Sequence, residues 1–420
     1  MKKASILLTL LFLLLCINAF SQKYQPEAYA VFKDSTLTFY YDKNKPEGAY
    51  DVEKTIKNWI SYQKEWEPKW KEIKTVVFDK SFKEYRPKSC SRWFATCQNL
   101  ISVKGIKENL NTSEVTDMEA MFFACESLTT IDVSGFNTEK VTDMSSMFYD
   151  CINLTSLDVS SFNTSKVTSM RGMFISCKAL TKLDVSGFDT KNVTDMGMLF
   201  WDCNNLTSLD VSGFNTSNVT DMSFLFADCE NLSSIDVSRF KTDKVTKMRH
   251  MFSYCRNLTS LNLSGFNTNN VIDMYGMFTG CKNLTSLNVS GFNTDKVTDM
   301  SRMFENCKNL TRLDVSGFNT KNVTNMRAMF SHCENLKTIY VGDGWNTSSV
   351  TDSKYMFSEC HNLVGGKGTK CGDQAVYIEE STNESSGDQE LKSDGSDLDA
   401  TFAHIDGGKS NPGYLTKKTK

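Results

Sequence analysis

The residues of this 420-residue chain whose types and spacing could do chemistry are its cysteines, four histidines, a recurring aspartate, and a scatter of aromatic and arginine side chains. Cysteine is the most regular. Cys125, Cys151, Cys177, Cys203, Cys229, Cys255, Cys281, Cys307 and Cys333 fall 26 residues apart, with Cys97 28 before the first and Cys360 27 after the last. Thiols in such an array have three courses open. They can form disulfides, which an oxidising compartment favours. They can hold zinc, which needs about four converging ligands. Or they can do no chemistry and pack as small hydrophobes. A linear column does not converge, and every unit offers the same single thiol, so pairing would be arbitrary. These eleven read as a structural column of buried free thiols, with no metal.

The aspartates give a similar answer. Asp117, Asp143, Asp195, Asp221, Asp273, Asp299 and Asp352 each stand just before the first methionine of a unit or its equivalent position. There a carboxylate can cap the first turn of a short helix. A calcium ladder would bring the glycine-rich nonapeptide of calcium-binding β-rolls, which is missing. A second stripe, Asp132, Asp158, Asp184, Asp210 and Asp236, reads as a solvated face, with binding of a polar ligand or cations as the alternative. His250, His332, His361 and His404 occupy unrelated positions, and no nucleophile elbow, phosphate loop or paired metal motif appears. No catalytic residue and no cofactor are expected.

What remains are the positions at which the units differ. Two lie between the paired methionines and two between Phe and Cys. They hold Phe123, Tyr149, Trp201, Phe224, Tyr254, Tyr275 and Tyr355, with Arg171, Arg249, His250, Arg302 and Arg327. Aromatic side chains and arginine dominate binding hot spots. Tyr149, Trp201, Phe224, Tyr254, Tyr275 and Arg249 are accordingly the candidate ligand-binding residues. The competing reading is that the rings pack on neighbouring coils.

The elements that must position these residues follow from one unit, Cys151 to Cys177. Leu157-Asp158-Val159 alternates with the period of a short strand. Met170, Met173, Phe174 and Cys177 follow at the spacing of one helix face. Gly-Phe-Asn-Thr, which joins the two in most units, is turn-like. A lone unit cannot bury its own apolar face, whereas stacking buries Leu, Val, Phe, Met and Cys as continuous columns. The expected fold is an α/β solenoid of parallel short strands and short helices, about ten to eleven coils with N- and C-terminal caps. At strand spacing it makes a rod roughly 50 Å long.

Residues 1–21 carry Lys2 and Lys3, then an apolar run from Ile6 to Ile17, then Ala19-Phe20-Ser21. That is the anatomy of a signal peptide cleaved after Ser21, too short to span a membrane. Cys16 follows Leu15, where a lipidation motif wants a small residue, so lipid attachment is not expected. Cleavage removes two lysines and no acids, taking the formal charge from −3 to −5. No basic patch stands out, so nucleic acid is excluded as a partner. Residues 22–90 read as a β-rich cap with a hairpin and several tryptophans, 91–363 as the solenoid, and 364–420 as a C-terminal cap containing a mobile acidic, Ser-rich loop.

The repeated unit, Leu-Thr-Ser-Leu-Asp-Val-Ser-Gly-Phe-Asn-Thr-x-x-Val-Thr-Asp-Met-x-x-Met-Phe-x-x-Cys-x-Asn, resembles that of the BspA-like leucine-rich-repeat surface proteins. It is most similar to the branch first described in mycoplasma lipoproteins. Glu27-Ala28-Tyr29-Ala30-Val31, Arg92-Trp93-Phe94 and the stretch from Ala403-His404 to Gly413-Tyr414 resemble the same family, so the likeness spans nearly all of the mature chain. It implies a leucine-rich-repeat-like fold and an exported bacterial surface or secreted protein; some relatives bind host matrix proteins or other bacteria, and most have no assigned function. With the outward aromatics, the expected role is non-catalytic adhesion or binding to host or neighbouring bacterial surface proteins or glycans. A structural spacer without a specific ligand is the alternative. The family supplies no site residues to carry over.

Overall fold

A computed structural model describes residues 25–53, 55–57, 62–371, 403–404 and 413–418. The expected signal peptide with Cys16, and the acidic Ser-rich stretch, lie outside the described residues.

The chain opens on an antiparallel hairpin, β1 (Glu27–Lys33) and β2 (Thr36–Asp42), reversed at Asp34 and Ser35 in left-handed conformations. β3 (Tyr50–Asp51) flanks β1, and β4 (Thr55–Lys57) pairs with β5 (Tyr62–Lys64). β2 then pairs in parallel with β6 (Thr75–Phe78), and β6 with β7 (Ser102–Lys104), so solenoid-type pairing begins inside the stretch expected to be the cap. One helical turn, α1 (Ile106–Asn109), precedes the regular coils. Phe39 sits at the centre of this end, 4.9 Å from Phe78, 5.5 Å from Trp93 and 6.0 Å from Phe94. It covers the start of the internal phenylalanine column.

Parallel bridges then run one residue per coil through Ser89, Asp117, Asp143, Ser169, Asp195, Asp221, Lys247, Asp273, Asp299, Asn325 and Asp352. On the Leu-x-Val side the ladder is regular enough to form named strands at β8 (Thr130–Ile131) with β9 (Ser156–Leu157), and at β10 (Arg312–Val315) with β11 (Thr338–Val341). β12 (Thr416–Lys417) adds in parallel to β11 and closes the last coil. Tyr414 meets Phe357 edge-on at 5.4 Å, and Trp345 Nε1 donates to Ala403 O at 2.9 Å.

Each coil contributes inward-facing Val, Met, Phe, Cys and Leu, nearly all fully buried. Phe122, Phe148, Phe174, Phe200 and Phe226 stack at 5.6–6.0 Å, and the column continues to Phe357. Truncating one of them, such as Phe226→Ala, would open a gap between two ring neighbours at about 3–5 kcal/mol.

The Met-Phe side corrects the expectation of a short helix in each unit. Among the described residues the coils contain no helix there. Ser146 and Asp150 take φ near +55, and the equivalent pair recurs in every coil. Met147 N donates to Met144 O, and Tyr149 N to Ser146 O, closing successive tight turns. The alternate amides donate to the next coil, Met144 N to Ser169 O and Phe148 N to Met173 O. A helix would satisfy all of these within its own coil. Here half of them staple coils together, and the left-handed residues turn the chain so that they can. The aspartates expected to cap a helix close Asx turns instead: Asp143 Oδ1 accepts from Ser145 N at 2.8 Å, and Asp221 Oδ1 from Ser223 N at 2.8 Å.

A further ladder runs inside. Thr138 Oγ1 donates to Asn163 O at 3.0 Å and accepts from Asn163 N at 2.7 Å, and the equivalent buried threonines repeat this along the stack.

Candidate binding surface

The tight turns of the Met-Phe side carry the four variable positions of each coil, which range from buried, as at Ile175 and Ala227, to exposed, as at Arg249. They lie on a scaffold hydrogen-bonded coil to coil, so side chains from adjacent coils are held side by side.

Trp201, Phe224, His250 and Tyr275 come from four successive coils and form one continuous ridge. The ring centroids are separated by 5.1, 4.8 and 4.7 Å in turn. Trp201 Nε1 donates to Asp228 Oδ2 at 3.0 Å. Arg249 lays its guanidinium over the Tyr275 ring, with Cζ 4.0 Å from the centroid. All four rings are half-buried, and Arg249 is exposed. The candidates Trp201, Phe224, Tyr275 and Arg249 are thus brought together, and His250 is the link that joins them.

Tyr149 is apart from this ridge. It stacks on Phe123 at 4.6 Å, and the equivalent position one coil on is the buried Ile175. Tyr254 is also apart, packed beside Gly280 with Arg256 5.6 Å from its ring. These rings therefore pack on neighbouring coils and stay half-buried.

Electrostatics follow from the packing. His250 is pushed down to about 4, first by burial and then by the positive charges of Arg249 and Arg302. Burial raises the Asp228 carboxyl despite its bond from Trp201. Burial also raises Tyr254. In the cysteine column, each thiol from Cys125 to Cys360 donates to a phenylalanine carbonyl of the preceding coil, as Cys229 Sγ does to Phe200 O at 3.2 Å. Burial pushes Cys151, Cys203, Cys281 and Cys333 up to about 12. The described cysteines are all free and buried, so none is placed for nucleophilic work.

The acidic stripe on the strand face is engaged locally. Asp158 Oδ1 accepts from Ser160 N at 2.9 Å and from its Oγ at 2.6 Å, and Asp184, Asp210 and Asp236 do the same. These bonds lower the carboxyls. Among the described residues no group of three His, Cys, Asp or Glu side chains converges on a common point. No described helix is long and apolar enough to cross a membrane.

The geometry defines a class: a repeat solenoid whose coils are alike except on one side, where a ridge of rings and arginine interrupts the pattern. The chain belongs to the family described as "Mycoplasma protein of unknown function, DUF285", whose model matches residues 88–204, 176–286 and 255–366. Among curated proteins none matches the sequence. Two solved structures are similar in fold. A leucine-rich cell surface protein from Faecalibacterium prausnitzii is 16% identical, with 81% of this chain and 94% of that one covered at a TM-score of 0.28. A leucine-rich-repeat protein from Eubacterium ventriosum is also 16% identical, covering 80% and 94% at a TM-score of 0.30.

Proposed function

We propose that this is an exported, surface-displayed or secreted binding protein, without catalytic activity, that attaches to proteins or glycans on host or neighbouring bacterial surfaces. The observation that supports this reading most directly is the Trp201–Phe224–His250–Tyr275 ridge with Arg249 on its last ring. It lies at the positions where the units differ most, and its rings and Arg249 keep part of their surface in solvent. Aromatic and arginine side chains held by a rigid support are what tight interfaces are built on. The N-terminal leader supports export. The relative from Faecalibacterium prausnitzii is described as a cell surface protein.

The test is a solid-phase binding screen of the chain from Gln22 onward against matrix proteins, mucins and co-resident bacteria. Trp201→Ala with Phe224→Ala is the comparison, and circular dichroism checks that it folds. Saturable binding weakened by the double substitution supports the reading. Saturable binding indifferent to it moves the site to Phe123 and Tyr149, or to the strand face. Absence of binding across the panel favours a structural spacer.

A further inference from the structure

Six arginines line the turn side of the coils, and five of them are already paired. Arg92 meets Glu119 at 2.8 Å, Arg171 meets Asp195 at 3.4 Å, and Arg256 meets Glu230 at 3.3 Å. Arg302 meets Glu305 at 3.2 Å and Arg327 meets Asp352 at 3.8 Å. Arg249 differs: among the described residues it has no carboxylate partner, and its contact is with the face of Tyr275. Stacking fixes the plane of a guanidinium while leaving its N–H edge free, which is the arrangement that takes a carboxylate through two parallel hydrogen bonds.

Its surroundings define what could bring that carboxylate. Phe224 lies tilted against Trp201 and His250, at interplanar angles of 37° and 32°, and His250 meets Tyr275 edge-on at 77°. The surfaces that face along the ridge are taken up by neighbouring rings, and Arg249 covers a face of Tyr275. Sugar rings need a free aromatic face to stack on, whereas burial of an apolar side chain is non-directional. The coil carrying Arg249 is also the one where the bridging aspartate is replaced by Lys247, with Asp221 and Asp273 on either side. A polyanion would lie against those acids, whereas a single carboxylate is matched by the Arg249 fork. The same stretch holds two of the five buried side-chain polar atoms that lack a hydrogen bond among the described residues: His250 Nδ1 and Arg256 Nε. Local departures from good packing are expected where a surface serves binding.

We infer that the ridge from Trp201 to Tyr275 docks a peptide segment of a partner protein, one that places a single aspartate or glutamate on Arg249 beside an apolar side chain resting on the half-buried rings. This inference rests on the binding role proposed above and narrows it to acid-bearing protein segments.

The experiment is selection of a random peptide library displayed on phage against the immobilised full chain, repeated against Arg249→Ala. Arg249 is exposed, so its removal leaves the fold in place, and Arg249→Lys keeps the charge without the fork. The expected result is enrichment of Asp or Glu next to Leu, Phe or Trp on the wild type and loss of that enrichment on the variant. The best peptide, synthesised, should lose roughly ten-fold to a hundred-fold in affinity with Arg249→Ala, or when its acid becomes the amide. The two losses should not add when combined. Peptides selected without acid enrichment, or indifferent to Arg249, would overturn the inference and leave the binding role standing. So would heparin binding that Arg249→Ala abolishes without any peptide being selected, which would assign the site to sulfated polysaccharide. Failure of both, together with a blank surface-ligand screen, would remove the binding role itself.

Discussion

Acid should loosen this protein through one side chain on the ridge. His250 packs between Phe224 at 4.8 Å and Tyr275 at 4.7 Å, and its titration falls from the usual 6.5 to about 4 through burial and the charges of Arg249 and Arg302. The folded state therefore refuses a proton that the unfolded chain accepts. Stability is complete above about pH 6.5, drains away as the pH falls towards about 4, and levels off below that, where the folded form is protonated as well. The gap corresponds to at most about 3.4 kcal/mol. Part of the ring remains in water, and screening reduces the figure to about 1.5 kcal/mol, of which about 1 kcal/mol is lost by about pH 5. Buried carboxyls such as Asp150 and Asp228, which are raised, act in the opposite sense, so the pH profile of one protein does not isolate His250. Comparison with His250→Asn does, because the backbone there has φ +53, which asparagine tolerates, and the amide does not titrate. Coils of a solenoid open locally, so amide hydrogen exchange over residues 245–285 is the proper readout. Between about pH 7.5 and pH 5, protection in the wild type should fall about five-fold further than in the variant, the ratio that matches about 1 kcal/mol. An equal response in both proteins would refute the assignment.

Other outcomes follow from the same geometry. Gly276→Ala should cost about 1–3 kcal/mol in thermal unfolding, because φ is +58 and a Cβ would lie 2.5 Å from His250 Cε1; in a His250→Ala background the same substitution should cost less, since the clash is gone and only the φ strain remains. The described cysteines should resist a thiol reagent in the native protein and react in concentrated guanidinium, whereas rapid labelling of several in the folded state would contradict their burial. Thr216→Val should cost about 2–4 kcal/mol, since Lys241 O and Lys241 N both lose a buried partner, while Thr216→Ser should cost much less.

The cysteine spacing made the coil legible because an inward position is under the same steric demand in every repeat. The N-terminal hairpin was legible from alternation at Ala28 to Phe32 and Leu37 to Tyr40, where one face of it is buried. The Met-Phe side was misread for a specific reason. Inward residues at Met144, Met147, Phe148 and Cys151 are spaced as on a helix, and a chain of tight turns produces the same spacing. The feature that separates the two is a left-handed residue every fourth position, and here glycine rarely marks it: Ser146, Asp150, Phe224 and His250 all adopt it. Bonds to the neighbouring coil hold them there, and such bonds have no local signature. The buried threonine ladder was hidden in the same way. Thr138 stands in what reads as a turn, and only the next coil shows that its hydroxyl is inside. Of the site, the six candidates were legible as variation, but not their grouping. His250 was visible among the outward positions, yet its role as the link between Phe224 and Tyr275 depends on a contact across coils.

That dependence on the next coil also constrains how such a surface can change. Arg171, His250 and Tyr254 each lean over the coil that follows, and each faces a glycine 26 residues on. A Cβ at Gly197 would lie 2.6 Å from Arg171, at Gly276 2.5 Å from His250, and at Gly280 2.5 Å from Tyr254. At these three positions a large outward side chain is matched by a glycine in the next unit. The ridge meets the same demand differently, by packing ring on ring: Phe224 and His250 hold equivalent positions in successive units and lie 4.8 Å apart. Arg249 shows the same coupling from the other direction, since the plane of its guanidinium is set by Tyr275, which belongs to the following coil. Residues that would read a ligand are thus held by contacts between repeats, and the regular hydrogen bonding from coil to coil keeps that geometry fixed before any partner arrives.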